Sequence, residues 1–69
     1  MPDRAPNLED AIAEGRKELR YRAKVFPRLI STGAMRQDEA DFRNAALQVL
    51  IACAEEKLAA DPNAGGRLF

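Results

Sequence analysis

The first half of the chain carries apolar and small residues at steps of three and four, the pattern of an amphipathic helix. From Leu8 onward, Ile12, Leu19 and Phe26 recur at this spacing. At 100° per residue they fall within an arc of about 120°, the usual width of one buried helix face. Asn7 is a favourable N-cap residue, and the two acidic residues in the first turn suit the helix dipole. We therefore predict a helix from Leu8 to Phe26.

Three residues in this half shape the end of the helix and its packing. Gly15 costs about 1 kcal/mol relative to alanine inside a helix, so its place on the apolar face indicates the close approach of another helix. Pro27 lacks an N–H and disfavours helical angles at Phe26. It is therefore expected either to end the helix or to kink it into a short extra turn, residues 27–31. Gly33 then closes that turn, because glycine suits the left-handed conformation after a helix end.

A second helix is predicted over residues 37–60, where strong helix formers dominate and Asp61-Pro62 ends the pattern. Met35 and Glu39 occupy the positions of a hydrophobic staple and of a capping-box glutamate. The cap position itself holds Arg36, which has no acceptor oxygen, so only half of the capping box is present.

The apolar residues of this second helix cover roughly 240° of its circumference, more than one facing helix can bury. One part of that arc should pack within the protomer, where Leu19, Phe26, Leu29 and Ile30 are expected to meet Phe42, Ala46, Val49 and Cys53. The other part is predicted to contact a second copy of the chain through Leu47, Ile51, Ala54 and Leu58. A narrow polar strip completes the helix surface: Asp41, Asn44, Gln48 and Glu55.

Length and composition favour the same oligomer. A chain of 69 residues buries a small core, and folds of this size usually gain stability from disulfides, a metal or a partner. With one cysteine and no histidine, neither an internal disulfide nor a zinc site can form. We predict an all-α, antiparallel two-helix hairpin over residues 8–61, with a short helical turn after Pro27, that dimerises into a helical bundle. Residues 1–7 should be extended or disordered, and residues 62–69 should form a flexible tail.

Localisation is predicted from what the sequence lacks. Residues 1–7 contain Asp3 and no apolar run, unlike a signal peptide. No apolar stretch approaches the roughly 20 residues that span a bilayer. We expect a soluble, cytoplasmic protein without membrane contact.

No residue forms a recognisable catalytic centre. Cys53 has no histidine to activate it and is expected to be a buried, structural cysteine. The acidic pairs 38–39 and 55–56 could serve a metal or acid–base chemistry, but neighbouring helix positions point about 100° apart and do not converge. We expect a non-enzymatic protein with no cofactor and no metal.

The charges, although balanced overall at eleven basic and eleven acidic residues, are separated along the chain. Between residues 16 and 28 six basic residues face Glu18 alone, whereas residues 37–61 carry six acidic and two basic residues. A candidate nucleic-acid contact on one side of helix one consists of Arg16, Lys17, Arg20 and Lys24, with Tyr21 nearby to stack on a base. The alternative is a plain solvated face that pairs with acidic residues of a neighbouring chain.

Residues 19–51 contain three motifs in a fixed order: Val25-Phe26-Pro27, then Gly33, then Glu39-Ala40-Asp41. This pattern resembles short phage- and prophage-encoded proteins of uncharacterised function, in which an arginine-rich helix ends in Val-aromatic-Pro before a glycine turn. Arg36 stands where those proteins have a capping serine or threonine. The resemblance implies a helical hairpin and a phage setting, and no functional residues.

Two functions follow as hypotheses. The first is a protein-binding accessory module that acts as a homodimer. The second is a nucleic-acid-binding accessory protein of phage DNA metabolism that uses the basic side of helix one.

The final Leu68-Phe69 also resembles the end of peptides that dock on the bacterial sliding clamp, although the glutamine that opens such peptides is absent.

Overall fold

Two antiparallel α-helices form the structure, a computed structural model that describes residues 4–60. The helices are α1 (Leu8–Ser31) and α2 (Gln37–Ala60), and no strand is present in the described part of the chain. Phe26 clusters with Ala40 near the connection, whereas Gly15 lies against Ile51 farther along both helices. The predicted all-helical hairpin is therefore confirmed, including both ends of α2. The flexible tail predicted for residues 62–69, with its Leu-Phe end, lies outside the described residues.

The N-terminus of α1 is held by a reciprocal capping box. The Asn7 side chain accepts a hydrogen bond from the backbone N–H of Asp10 at 3.0 Å, and the Asp10 carboxylate accepts one from the Asn7 N–H at 3.0 Å. Arg4 adds a two-pronged ion pair to the same carboxylate. The hydrogen bond from Arg4, followed by the one from Asn7, lowers the pKa of Asp10 to about 2. Asn7 is thus the N-cap, as the sequence predicts.

The C-terminal end of α1 differs from the prediction. Residues 27–31 are helical, but they continue α1 without a break and do not form a separate turn after Pro27. The missing N–H and the ring of a proline inside a helix cost about 3 kcal/mol. Leu29 and Ile30 lie beyond Pro27 and pack against the buried cluster around Phe26. Burial of these two side chains offsets the cost of the proline, which sequence-local rules do not count.

The turn itself follows the sequence closely. Gly33 has a φ of +82°, the left-handed conformation expected after the helix end. Its N–H donates to the carbonyl of Ile30 at 3.1 Å, and the N–H of Met35 donates to the carbonyl of Leu29 at 3.2 Å. Met35 and Ala40 are buried together with Phe26, so the predicted hydrophobic staple is present at the start of α2.

The helices approach each other closely at Gly15. A Cβ atom added there would lie 2.8 Å from Cγ1 and 3.0 Å from Cδ1 of Ile51. These distances are shorter than an ordinary carbon–carbon contact of about 3.5–4.0 Å. The close approach predicted from a glycine on the apolar face is confirmed, and the helix that approaches is α2 of the same protomer.

The core that results is small. Only five hydrophobic side chains are buried in residues 4–60, and each of them keeps some exposure. They are Ile12, Phe26, Met35, Ala40 and Ile51. Two helices alone bury little apolar surface, so the isolated hairpin is expected to have a low free energy of unfolding.

Candidate interaction surfaces

The side of α2 that faces α1 is the opposite of the predicted one. Ile51 is buried against α1, and Leu47, Ala54 and Leu58 are half-buried on the same side. The prediction assigned these four residues to a contact with a second copy, whereas the structure places them on the side of α2 that faces α1 of the same protomer. The predicted inner residues, Phe42, Ala46, Val49 and Cys53, are exposed.

Polar residues explain the reversal. Asn44 and Glu55 belong to the strip expected to face solvent, but both lie at the helix interface. The Oδ1 atom of Asn44 accepts a hydrogen bond from Arg22 at 3.4 Å, and Glu55 forms an ion pair with Arg16. Two arginines of α1 thus satisfy the polar residues on the inner side of α2, which leaves the more apolar side outward.

This outward side is an apolar surface that α1 does not cover, and we call it the outer face of α2. It consists of Phe42, Ala46, Val49, Leu50 and Cys53. Phe42 is 76% exposed, Val49 63% and Leu50 65%. Four of the five are spaced by four, three and four residues along the helix, the spacing of a helix-pairing seam. Large aliphatic and aromatic side chains grouped on one exposed stripe are typical of a binding surface.

Cys53 lies on this outer face and is exposed. The prediction of a buried structural cysteine is therefore wrong, for the same reason as the face assignment: α1 packs on the other side of the helix. No histidine exists in the chain to activate the thiol.

The acidic pair 38–39 lies in the first turn of α2 and contacts neighbouring arginines. Asp38 accepts a hydrogen bond from the N–H of Glu39 at 2.8 Å and from Arg36 at 3.1 Å. Glu39 lies 3.9 Å from Arg43. Residues 4–60 contain no group of three or more side chains that could hold a metal ion.

The four residues of the predicted nucleic-acid contact are divided between two places. Arg16 forms an ion pair with Glu55 of α2, so its charge is engaged within the hairpin. Lys17, Arg20 and Lys24 are exposed on the side of α1 away from α2, next to Tyr21, which is 59% exposed. Arg28 continues this side by one turn and was not among the predicted residues. Its spacing of four from Lys24 is the signal that identifies it.

Arg22 has a structural part that the sequence did not reveal. It pairs with Glu18 at 3.0 Å, donates to the carbonyl of Arg43 at 3.2 Å, and lies 5.4 Å from the centre of the Phe26 ring. Arg43 of α2 lies 5.3 Å from the same ring centre. The aromatic ring is thus flanked by two guanidinium groups, an arrangement that cation–π attraction stabilises. Arg22 joins the two helices and is not available to an external ligand.

Two shallow clefts lie along the groove between the helices. One is near the turn beside Phe26 and Pro27, and the other is near the open end of the hairpin beside Ile12 and Leu58. Neither gathers side chains that suggest a reaction. Arg22 and Asn44 in the first cleft are joined by a hydrogen bond, and Arg16 and Glu55 in the second are joined by an ion pair.

Membrane insertion and known relatives add no further constraint. Neither α1 nor α2 combines the length and the apolar character that a bilayer crossing requires, within the part of the chain that the structure describes. No protein-family model, curated protein or solved structure matches the chain.

Proposed function

We propose that the protein is a non-enzymatic protein-binding module that acts as a homodimer, and that the outer face of α2 is its docking surface. The observation that carries the proposal is the exposure of Phe42, Val49 and Leu50 on one side of one helix. Side chains of this size expose much apolar surface to water, and burial against a partner removes that cost.

A second copy of the chain is the occupant that fits this surface best. If two α2 helices pair antiparallel about a point between Val49 and Leu50, each of these residues lies opposite the other in the second copy. Ala46 then meets Cys53, two small side chains that permit close approach. Phe42 meets the aliphatic stem of Lys57, whose ammonium group can reach the acidic first turn of the partner α2. The face is therefore complementary to itself, as a two-fold interface requires.

The energies are of the right order for reversible association. Complete burial of a large apolar side chain contributes about 1.5–3 kcal/mol, and Phe42, Val49 and Leu50 are exposed to 76%, 63% and 65%. Two copies bring six such side chains, which together contribute roughly 6–12 kcal/mol. The cost of association is about 4–15 kcal/mol. The two ranges overlap, so we expect a dimer that forms with rising protein concentration.

A phage or prophage setting belongs to the same proposal. It is supported by the resemblance of the Val25-Phe26-Pro27, Gly33 and Glu39-Ala40-Asp41 pattern to short phage-encoded hairpin proteins. In that setting a small, self-associating helical module acts by contact with other proteins.

Sedimentation equilibrium tests the dimer. We expect the wild-type protein to have the mass of a dimer at hundreds of micromolar. A Phe42→Glu/Val49→Glu variant should sediment as a helical monomer, because both changes place a charge in the contact. A Gln37→Glu/Gln48→Glu variant adds the same charge to exposed positions of α2 outside the outer face and should remain a dimer. A wild-type protein that stays monomeric at these concentrations would refute the proposal.

A further inference from the structure

A second, chemically different surface lies on the side of α1 that points away from α2. We call it the basic face, and it consists of Lys17, Arg20, Lys24 and Arg28. All four are exposed. Lys17 and Arg28 are eleven positions apart, which corresponds to about 16 Å along a helix, so the charges form a row. The opposite side of α1 faces α2 and carries Gly15, Leu19 and Phe26, so the row points away from α2.

The basic face differs in its pairing from the other arginines of the described residues, although Lys57 of α2 also forms no ion pair there. Within residues 4–60, five arginines form ion pairs with carboxylates: Arg4, Arg16, Arg22, Arg36 and Arg43. No ion pair joins any member of the basic face to another residue of the described part of the chain. Glu14, at its N-terminal end, is the nearest exposed acidic neighbour on that side. The row therefore keeps most of its positive charge available to an external anion.

Tyr21 lies in the middle of this row. It is 59% exposed, and Lys17 and Lys24 lie one helical turn before and after it. An exposed aromatic ring between cations is the combination that binds unpaired bases by stacking while the cations hold the flanking phosphates. In a duplex the bases are stacked on one another, and a ring on a helix surface has no base face to contact.

We propose that the basic face binds the phosphate backbone of single-stranded nucleic acid, with Tyr21 stacked on a base. An anionic membrane fits the surface less well. Helices that lie on membranes insert large apolar side chains beside their basic residues, whereas the apolar side of α1 is packed against α2. The basic face lies on a different helix from the outer face of α2, so each surface can be changed by substitution without altering the residues of the other.

Tyrosine fluorescence gives a direct readout. Tyr21 is the only tyrosine, and the chain has no tryptophan, so the intrinsic emission comes from the basic face. Stacking on a base should quench this emission when oligothymidylate is added. Four phosphate contacts predict a slope of about −3 for log affinity against log salt, a loss of about 50-fold between about 50 and 200 mM salt.

Variants separate charge from stacking, with a labelled oligonucleotide as the second readout. Lys17→Gln/Lys24→Gln should halve the salt slope to about −1.4. Arg36→Glu makes the same change in net charge at the turn, away from the basic face, and should leave the slope unchanged. Tyr21→Leu should weaken binding about 5- to 150-fold, the range of base–aromatic stacking, and Tyr21→Phe should retain most of it.

Four results would overturn the proposal. The first is no binding to oligothymidylate at about 50 mM salt, and the second is binding to a duplex of the same length as tight as to oligothymidylate. The third is tighter binding to vesicles of anionic phospholipid than to oligothymidylate. The last is a loss of affinity in the Arg36→Glu control equal to that in Lys17→Gln/Lys24→Gln. The first would refute nucleic-acid binding altogether. The second and third would assign the charge row to another polyanion, and the last would reduce the effect to net charge.

Discussion

Replacement of Gly15 by alanine should destabilise the hairpin, although alanine is the better helix former. Alanine gains about 1 kcal/mol of helix propensity over glycine. The new Cβ atom would lie 2.8 Å from Cγ1 of Ile51, and Ile51 is buried, so it has little space to move away. Overpacking of this kind costs about 1–3 kcal/mol. The expected net loss in the free energy of unfolding is therefore up to about 2 kcal/mol.

A double-mutant cycle isolates the contact. Ile51→Ala alone should cost about 2–3 kcal/mol, the lower part of the range for a buried isoleucine, because the core is small and its neighbours Leu47 and Ala54 are only half-buried. The same change removes both atoms that the new Cβ would meet. In the combined Gly15→Ala/Ile51→Ala variant the losses should therefore be less than additive by about 1–3 kcal/mol.

Chemical unfolding followed by circular dichroism measures these energies, at one fixed protein concentration because self-association adds to apparent stability. Ala13→Gly is the matched control, since Ala13 is exposed on the same helix and reports the propensity difference alone. If Gly15→Ala stabilises the protein by the full propensity difference, or if the cycle is additive, the close approach of the helices at Gly15 is refuted.

Three further predictions concern the ends of the helices. Arg4 and the capping box lower the pKa of Asp10 to about 2. The ionised carboxylate therefore stabilises the fold fully above about pH 4, and this stabilisation is lost as the pH falls through about 2. Carboxyl chemical shifts should give this pKa, and an unchanged pKa in Arg4→Gln would contradict the assigned cause. Gly33→Ala should cost about 1 kcal/mol, because alanine is strained at a φ of +82°, whereas a stability equal to wild type in chemical unfolding would argue against the left-handed turn. Met35→Ala should cost about 2 kcal/mol or more through loss of the staple contact, and a loss of under about 0.5 kcal/mol would show that Met35 is not packed on Ala40.

The helices and the turn follow from local rules, which is why the sequence predicts them well. Asn7 as a cap, Gly33 at a positive φ and Met35 as a staple each depend on a few neighbouring residues. Pro27 is the exception, because its local cost is offset by packing of Leu29 and Ile30 against the buried cluster of Phe26, Met35 and Ala40. Such an offset requires knowledge of which helix is nearby and in what orientation.

The sequence pattern of α2 does not determine which side of the helix packs against α1. The helix is apolar on two sides, so periodicity does not distinguish the inner side from the outer side. The choice is made by pairs of residues far apart in the chain: Gly15 leaves room for Ile51, and Arg22 meets Asn44. The sequence shows a glycine on α1 and two polar residues on α2, but it does not show which residues of the other helix they contact.

The rate of Cys53 modification, measured as the concentration of wild-type protein rises, tests the proposed dimer most directly. Cys53 is the only thiol and lies in the outer face of α2, where it is exposed in the single protomer. If two copies meet through this face, a polar thiol reagent should react rapidly with dilute protein and at least about ten-fold more slowly at hundreds of micromolar, as the dimer buries the sulfur. The same rate constant at every concentration would contradict the account.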